Sequence, residues 1–371
     1  MPKQKFLPNP GRLPIRIMQT NPLLSSFATP FETAPFHLIQ PEHFLPAVTE
    51  AIASAKSEIA EIKAQPLPTF ENTIEALDRS GKRLGVISAI FFNLNSAETN
   101  DQIQRLAREI SPLLTEHSND ILLDQELFQR VAQVFATKGA LNLNPEQTTL
   151  LDKTYKSFVR NGAKLSTEEA DKLRKIDQEL AQLSLRFGEH VLAETNKFVH
   201  FVDQESELEG LPEGAKEAAA QIAEEKGETG KWAFTLDYPS YIPVMTYAKN
   251  RKLRKTLFMA FNTKSSKGDE LDNQEIILKL LQLRDQRAKL LGFGSHADFV
   301  LEERMAKSPS TVMEFLNSLL EKAKPKAEAE VKEVADFAKK LDGLESLQKW
   351  DFAYYSELLK KEKYALDDEL L

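Results

Sequence analysis

The sequence predicts a mainly α-helical fold: a multi-helix bundle with a small strand-containing insert near residues 197–237. Three observations carry this. Apolar residues recur at spacings of three and four over most of the chain. Only 14 glycines occur among 371 residues, so few backbone breaks are available. Helix-start chemistry is repeated: Asn144-Pro145 followed by Gln147, Ser166 with Glu169, and Ser308-Pro309 each place a capping side chain or a first-turn proline where a helix would begin.

Taken in order, residues 1–20 read as a disordered leader. Its first 17 residues carry Lys3, Lys5, Arg12 and Arg16, no acid and four prolines. It has no apolar run for a secretory signal; a transit role stays open, as does Met18 as the true start. A helical domain is expected over 21–196. Pro41 opens a helix with Phe44, Val48 and Ile52 on one face, and a second runs from Thr69 to Asn95, interrupted near Gly81. Others open at Asp101, near Leu123, at Asn144 and at Ser166, the last carrying Leu173, Ile176, Leu180, Leu183, Phe187 and Val191.

The pattern changes over 197–237, a small α/β element. Phe198–Val202 is short, aromatic and β-branched, and Trp232, Phe234 and Leu236 alternate with smaller or polar residues. Both read as strands, joined by an alanine- and glutamate-rich helix at Pro212–Lys226 that permits either pairing direction. Helices resume over 238–371: one at Tyr241–Asn262, one opened by Asp272 with Glu275 and ending near Gly292, and one from Ser308 to Leu341. On the last, Glu328–Lys332 and Asp336–Lys340 are i,i+4 pairs, and Pro325 is expected to bend it.

Composition narrows function. Lys plus Arg total 48 against 56 Asp plus Glu, a net charge of −8, which offers no general attraction to nucleic acid or to an anionic membrane. No apolar run reaches the ~18 residues of a membrane-spanning helix. Cysteine is absent, which removes disulfides, thiolate metal ligands and cysteine nucleophiles and agrees with a reducing, cytoplasmic location.

Catalytic patterns are largely missing. A zincin helix needs His-Glu-x-x-His, two imidazoles one helical turn apart with a general base beside the metal-bound water. None of the six histidines (His37, His43, His117, His190, His200 and His296) is followed by Glu, and no two are four apart. Residues 292–297, Gly-Phe-Gly-Ser-His-Ala, match a relaxed dinucleotide pattern but follow a helix instead of a strand, so Ser295 is expected to cap the next helix. Catalytic and metal-ligating residues are therefore assigned to none of the positions. Tyr238, Tyr241 and Tyr247 are the candidate peptide-binding surface, because phenols combine apolar contact with hydrogen bonding; core packing and turn chemistry explain them at least as well. Arg284, Arg287 and Lys289 offer a carboxylate anchor or ordinary bundle ion pairs.

An ordered series of stretches resembles one family. It comprises Phe36–Ala47 (FHLIQPEHFLPA), Phe70–Leu77 (FENTIEAL), Asn161–Leu165 (NGAKL), Trp232–Leu236 (WAFTL), Arg287–Phe293 (RAKLLGF), Met305–Pro309 (MAKSP) and Trp350–Tyr355 (WDFAYY), with Lys363-Tyr364. From about Asn21 to Leu371 the chain is similar to the N-terminal half of the thimet oligopeptidase (M3) family of zinc metallopeptidases, nearest its peptidyl-dipeptidase branch. The resemblance implies a helical lobe lining a deep channel for short peptides, and zinc in the complete enzyme. It places the zinc ligands and general base beyond Leu371, so the chain is expected to be a truncated, cytoplasmic and, alone, inactive portion of a peptidase. A non-catalytic scaffold, and a half of a split enzyme completed by a separate catalytic polypeptide, are the alternatives.

Overall fold

The computed structural model describes residues 21–366; the leader expected over 1–20 and the last five residues lie outside it. The chain is mainly helical with one two-stranded antiparallel sheet. Backbone contacts divide it into two compact units, residues 1–170 and 171–371.

In the first unit, a short 3-10 turn at Pro41–His43 leads into α1, Phe44–Ala64. Phe44, Ala47, Val48, Ala51, Ala55, Ile59 and Ile62 are buried along it, the three-and-four spacing of a single face. A π-helical turn, Phe70–Glu75, continues into α2, Ala76–Arg79, and α3, Lys82–Ala97, follows. The sequence predicts a helix from Thr69 to Asn95 interrupted near Gly81, and the division falls there. It divides because Gly81 adopts φ +66°, a left-handed conformation natural to glycine, and its N–H donates to Glu58 Oε2 on α1 at 2.8 Å.

α4 (Asp101–Leu122), α5 (Gln125–Ala136) and α6 (Pro145–Arg160) complete the unit. Each starts on a side-chain cap: Asn100 Oδ1 accepts from Gln102 and Ile103 N–H at 3.0 Å, and Asp124 Oδ1 from Leu127 N–H at 2.9 Å. Asn144 and Gln147 cap reciprocally at 2.8 and 3.1 Å. Phe70, Ile74, Leu127, Val131, Leu151 and Phe158 share one core beneath these helices. Arg130 is buried with them because its Nη1 donates to Gln65 O at 2.7 Å.

The second unit begins within α7, Thr167–Lys197, whose start at Ser166 and Glu169 is the capping box read in the sequence. β1 (His200–Val202) pairs antiparallel with β2 (Trp232–Phe234), His200 opposite Phe234, and α8 (Glu213–Glu225) forms the connection and packs on β2. The helix expected at Tyr241–Asn262 is two helices, α9 (Tyr238–Tyr247) and α10 (Arg251–Asn262). The break is tertiary in origin. Lys249 N–H donates to Glu209 O at 2.8 Å instead of continuing the helix, and Asn250 Oδ1 caps α10 through Lys252 and Leu253 N–H at 3.1 Å.

α11 (Gln274–Leu290), α12 (His296–Leu301), α13 (Pro309–Asp342) and α14 (Phe352–Tyr364) follow. α13 continues through Pro325. Its ion pairs run one turn earlier than the sequence suggested, Lys324–Glu328, Lys326–Glu330 and Lys332–Asp336, while Lys340 reaches Glu362 on α14 at 3.8 Å. The acids had two lysines within reach, and the rotamers chosen place the N-terminal ones in contact.

Gly210, at φ +91°, supports the α9–α10 break: a Cβ there would meet Tyr247 O at 2.4 Å and Lys249 N at 3.3 Å. Gly210→Ala is expected to destabilise the second unit by at least about 1 kcal/mol, from combined strain and overlap; urea unfolding followed by circular dichroism would measure it.

Candidate functional site

α9 places the candidate tyrosines on two different faces. Thr235 N–H donates to Ser240 Oγ at 3.0 Å and Tyr241 N–H to Asp237 O at 2.8 Å, and Pro239 occupies the first turn, where its missing N–H costs nothing. Tyr238 and Tyr241, three apart, then meet the same ring on α10. Tyr241 stacks on Phe261 with centroids 4.4 Å apart, and Tyr238 meets it edge-on at 5.8 Å. Lys264 Nζ lies 4.1 Å from the Phe261 centroid, a cation–π distance. Tyr238 is 66% exposed whereas Tyr241 belongs to the core. Tyr247 does not join them; it lies near Gly210 and beside Lys361 of α14, whose Nζ is 5.5 Å from its ring.

Burial raises the Tyr241 phenol above its ordinary value, only partly offset by its hydrogen bond with Asn262. Its hydroxyl therefore keeps its proton at neutral pH and serves as a hydrogen-bonding group, not a nucleophile. The accessible part of the three is Tyr238 with the edge of Phe261 and Lys264, a surface suited to contact with an extended apolar or aromatic side chain.

The most developed polar cluster of this unit was not singled out by sequence reasoning. Asp351, wholly buried at the start of α14, accepts from Arg251 Nε and Nη2 at 2.9 and 2.7 Å, from Arg254 Nη2 at 3.0 Å and from Gln348 N–H at 3.0 Å. Arg254, 1% exposed, also donates to Ala248 O at 2.7 Å, Lys249 O at 3.2 Å and Trp350 O at 3.1 Å. Its guanidinium lies 4.2 Å from the Tyr354 ring centroid. The partners are about 100 residues apart, so no local spacing signals them; the only trace was Trp350-Asp351 within the resembling stretches. The Asp351 carboxylate and the Arg254 guanidinium are both buried and bonded inside the protein, so their pairing is structural. Burial by itself pushes the Asp351 carboxyl up; hydrogen bonds from Arg251, the Gln348 N–H and Arg254 outweigh it and hold the group below the usual carboxylate value.

The histidines are scattered. His37 is exposed, and His43 Nδ1 accepts from Gln40 N–H at 3.0 Å. His117 and His190 are buried in different units, and His190 Nε2 accepts from Arg186 Nε at 3.3 Å. Burial lowers His117, His200 and His296 below the ordinary imidazole value, which keeps them neutral at pH 7. Among the described residues no three His, Asp or Glu side chains are placed to hold a metal ion. A catalytic zinc needs three such ligands and an open position, so the described residues do not fit one.

The basic cluster resolves into bundle contacts. Arg287 Nε donates to Asp177 Oδ1 at 2.7 Å and packs on Phe299, and Lys289 pairs with Asp285 at 2.7 Å. The Gly292–Ala297 corner is a helix–helix turn, with Gly292 at φ +83° and Ser295 Oγ accepting from Asp298 N–H at 3.2 Å. No helix among the described residues is long and apolar enough to cross a membrane.

Residues 244–371 match peptidase family M3, and the chain is similar over nearly its whole length to proteins named as peptidases. It is 34% identical to dipeptidyl carboxypeptidase of Escherichia coli (strain K12) over 95% of its own length, covering 52% of that protein. It is 35% identical to oligopeptidase A of the same organism, and 34% identical to oligopeptidase A of Haemophilus influenzae, each with the same two coverages. The chain spans about half the length of the curated relatives it matches.

Two measurements check the Asp351 cluster. Asp351→Ala leaves buried Arg254 unpaired and is expected to cost about 3–5 kcal/mol, whereas Arg251→Ala, which removes a guanidinium whose side chain is 45% exposed, is expected to cost about 1 kcal/mol or less. Because the folded-state Asp351 value is depressed, its contribution is complete at neutral pH and is lost as pH falls below the ordinary carboxylate value of 3.8, through the lower folded-state value. Acid titration of stability should show a step in that window for the wild type, and a smaller one for an Asp351→Asn variant that still folds.

Proposed function

We propose that this chain is the non-catalytic half of a zinc-dependent M3 peptidase that cleaves short peptides, of the dipeptidyl carboxypeptidase or oligopeptidase A kind. The supporting observation is the match along 95% of this chain to one half of those proteins. In this reading zinc and the general base belong to the other half, since the chain contains no His-Glu-x-x-His spacing. Zinc held by that half would supply Lewis-acid chemistry. This chain contributes folded wall: helices that bound the peptide path and exclude bulk protein. The Tyr238–Phe261–Lys264 surface is a candidate contact along that path, offering stacking and a positive charge toward a peptide. A cytoplasmic location accompanies the reading.

The purified chain, supplied with zinc, is expected to retain no stoichiometric metal by mass spectrometry and to show no chelator-sensitive cleavage of a short-peptide panel. Chelator-sensitive turnover by the chain alone overturns the proposal. In an assembled enzyme, Tyr238→Ala is expected to raise KM for aromatic or apolar peptides with little change in kcat, while leaving stability within about 0.5 kcal/mol, as an exposed position should.

A further inference from the structure

We infer that the groove between α1 and the α4–α5 corner binds a small zwitterion whose ammonium and carboxylate stand several ångströms apart, a linear ω-amino acid or a dipeptide. The site lies within the first unit and does not depend on the peptidase reading above. Helical spacing builds it. Lys56, Ile59 and Lys63 fall on one face of α1, and His117, Asp120 and Asp124 keep the same three-and-four spacing along α4 and into the cap of α5, so each set shares a side. Together they line an open cavity of about 460 Å³, within the ~300–1,000 Å³ of small-molecule sites.

Each end of the cavity carries both signs of charge. At one, Lys56 Nζ meets Asp120 Oδ2 at 3.0 Å; at the other, Lys63 Nζ meets Asp124 Oδ2 at 2.7 Å and Glu126 Oε2 at 3.0 Å. Ile59 and Ile121 line the interval with apolar surface. Lys56 and Lys63 are seven residues apart and Asp120 and Asp124 four apart, so the two ends stand roughly 6–10 Å from each other. An α-amino acid, with a single carbon between its charged groups, is too short to touch both. A dipeptide, reaching about 7 Å when extended, or a linear ω-amino acid spans the gap.

The charges also orient the ligand. The Lys63 end has two carboxylates for one ammonium, a surplus that favours the ligand's ammonium. The other end offers its carboxylate two donors. Lys56 is held by Asp120 in a solvent-exposed pair, a weak restraint. His117 is buried and lines the cavity, and its Nδ1 has no hydrogen-bond partner among the described residues; a neutral imidazole donates through one ring nitrogen. Burial and the nearby Lys56 hold His117 below the ordinary imidazole value against the pull of Asp120, and a carboxylate bound beside it would raise it.

Calorimetric titration of the full chain with ε-aminocaproate and with alanyl-alanine tests the site, with caproate and hexylamine as one-ended controls. His117, assigned in NMR spectra by its loss in His117→Gln, reports the carboxylate end. Saturable binding at millimolar probe is expected, with the His117 imidazole titrating at higher pH in the complex. Binding of both probes defines the zwitterion as the ligand; the dipeptide alone identifies its source as peptides, and ε-aminocaproate alone as free amino acids. Lys56→Met and Glu126→Gln, both at exposed positions and so expected to leave the thermal midpoint unchanged, should each weaken binding at least about 10-fold, the loss of one charge-assisted hydrogen bond. No saturable binding of either probe, equal affinity for caproate or hexylamine, or a His117 titration that does not move overturns the inference. Peptide cleavage enters none of these readouts, so the peptidase reading stands or falls separately.

Discussion

Asp351 is removed from water at the head of α14, and much of the second unit is arranged so that its charge is met. Two guanidinium groups from successive positions on one face of α10, Arg251 and Arg254, converge on it. Arg254 spends its remaining donors on the carbonyls of Ala248, Lys249 and Trp350. One buried ion cluster thus ties together the break between α9 and α10, the Trp350 turn and the first residue of the last helix. A charge buried this deeply is tolerated only when partners and hydrogen bonds are nearly complete, which constrains several backbone segments at once. Hydrophobic contact alone, being non-directional, would leave their relative orientation looser.

The same arrangement positions the elements packed around it. Fixing α10 sets Phe261, and with it the exposed Tyr238 edge. Fixing the start of α14 sets where Tyr354 and Tyr355 pack against Val334, Phe337 and Ala338 of α13. The histidines are scattered, and burial keeps His117, His200 and His296 neutral.

Much of the local structure was legible. Asn144, Ser166, Ser295 and Ser308 mark helix starts because a side-chain oxygen must satisfy a free N–H at that point, a requirement carried by the residue itself. The three-and-four spacing along α1 and α5 reports a buried face whatever lies opposite. Reading failed where a distant segment decides. The helix predicted over Tyr241–Asn262 divides because Glu209 O captures the Lys249 N–H and Gly210 lets the chains approach. Asp272, expected as a cap, instead gathers Gln274 and Gly268 N–H at 2.7 and 2.6 Å in the loop before α11, and those backbone bonds lower its carboxyl. Of the three tyrosines grouped by proximity in sequence, helical geometry turns Tyr247 away from the other two.

The sequence by itself determined the helical class, the position of the two short strands, most helix starts and, through its ordered stretches, the similarity to the M3 family. Those properties reside in local spacing and in the identity of residues taken in order. Tertiary structure alone decided the antiparallel pairing of the strands, the Arg251–Arg254–Asp351 cluster, which tyrosine remains exposed, and the packing of Val334, Phe337 and Ala338 against α14. Each of these depends on two segments far apart in the chain meeting in space, and an amphipathic pattern reports that a face needs burying without reporting what buries it.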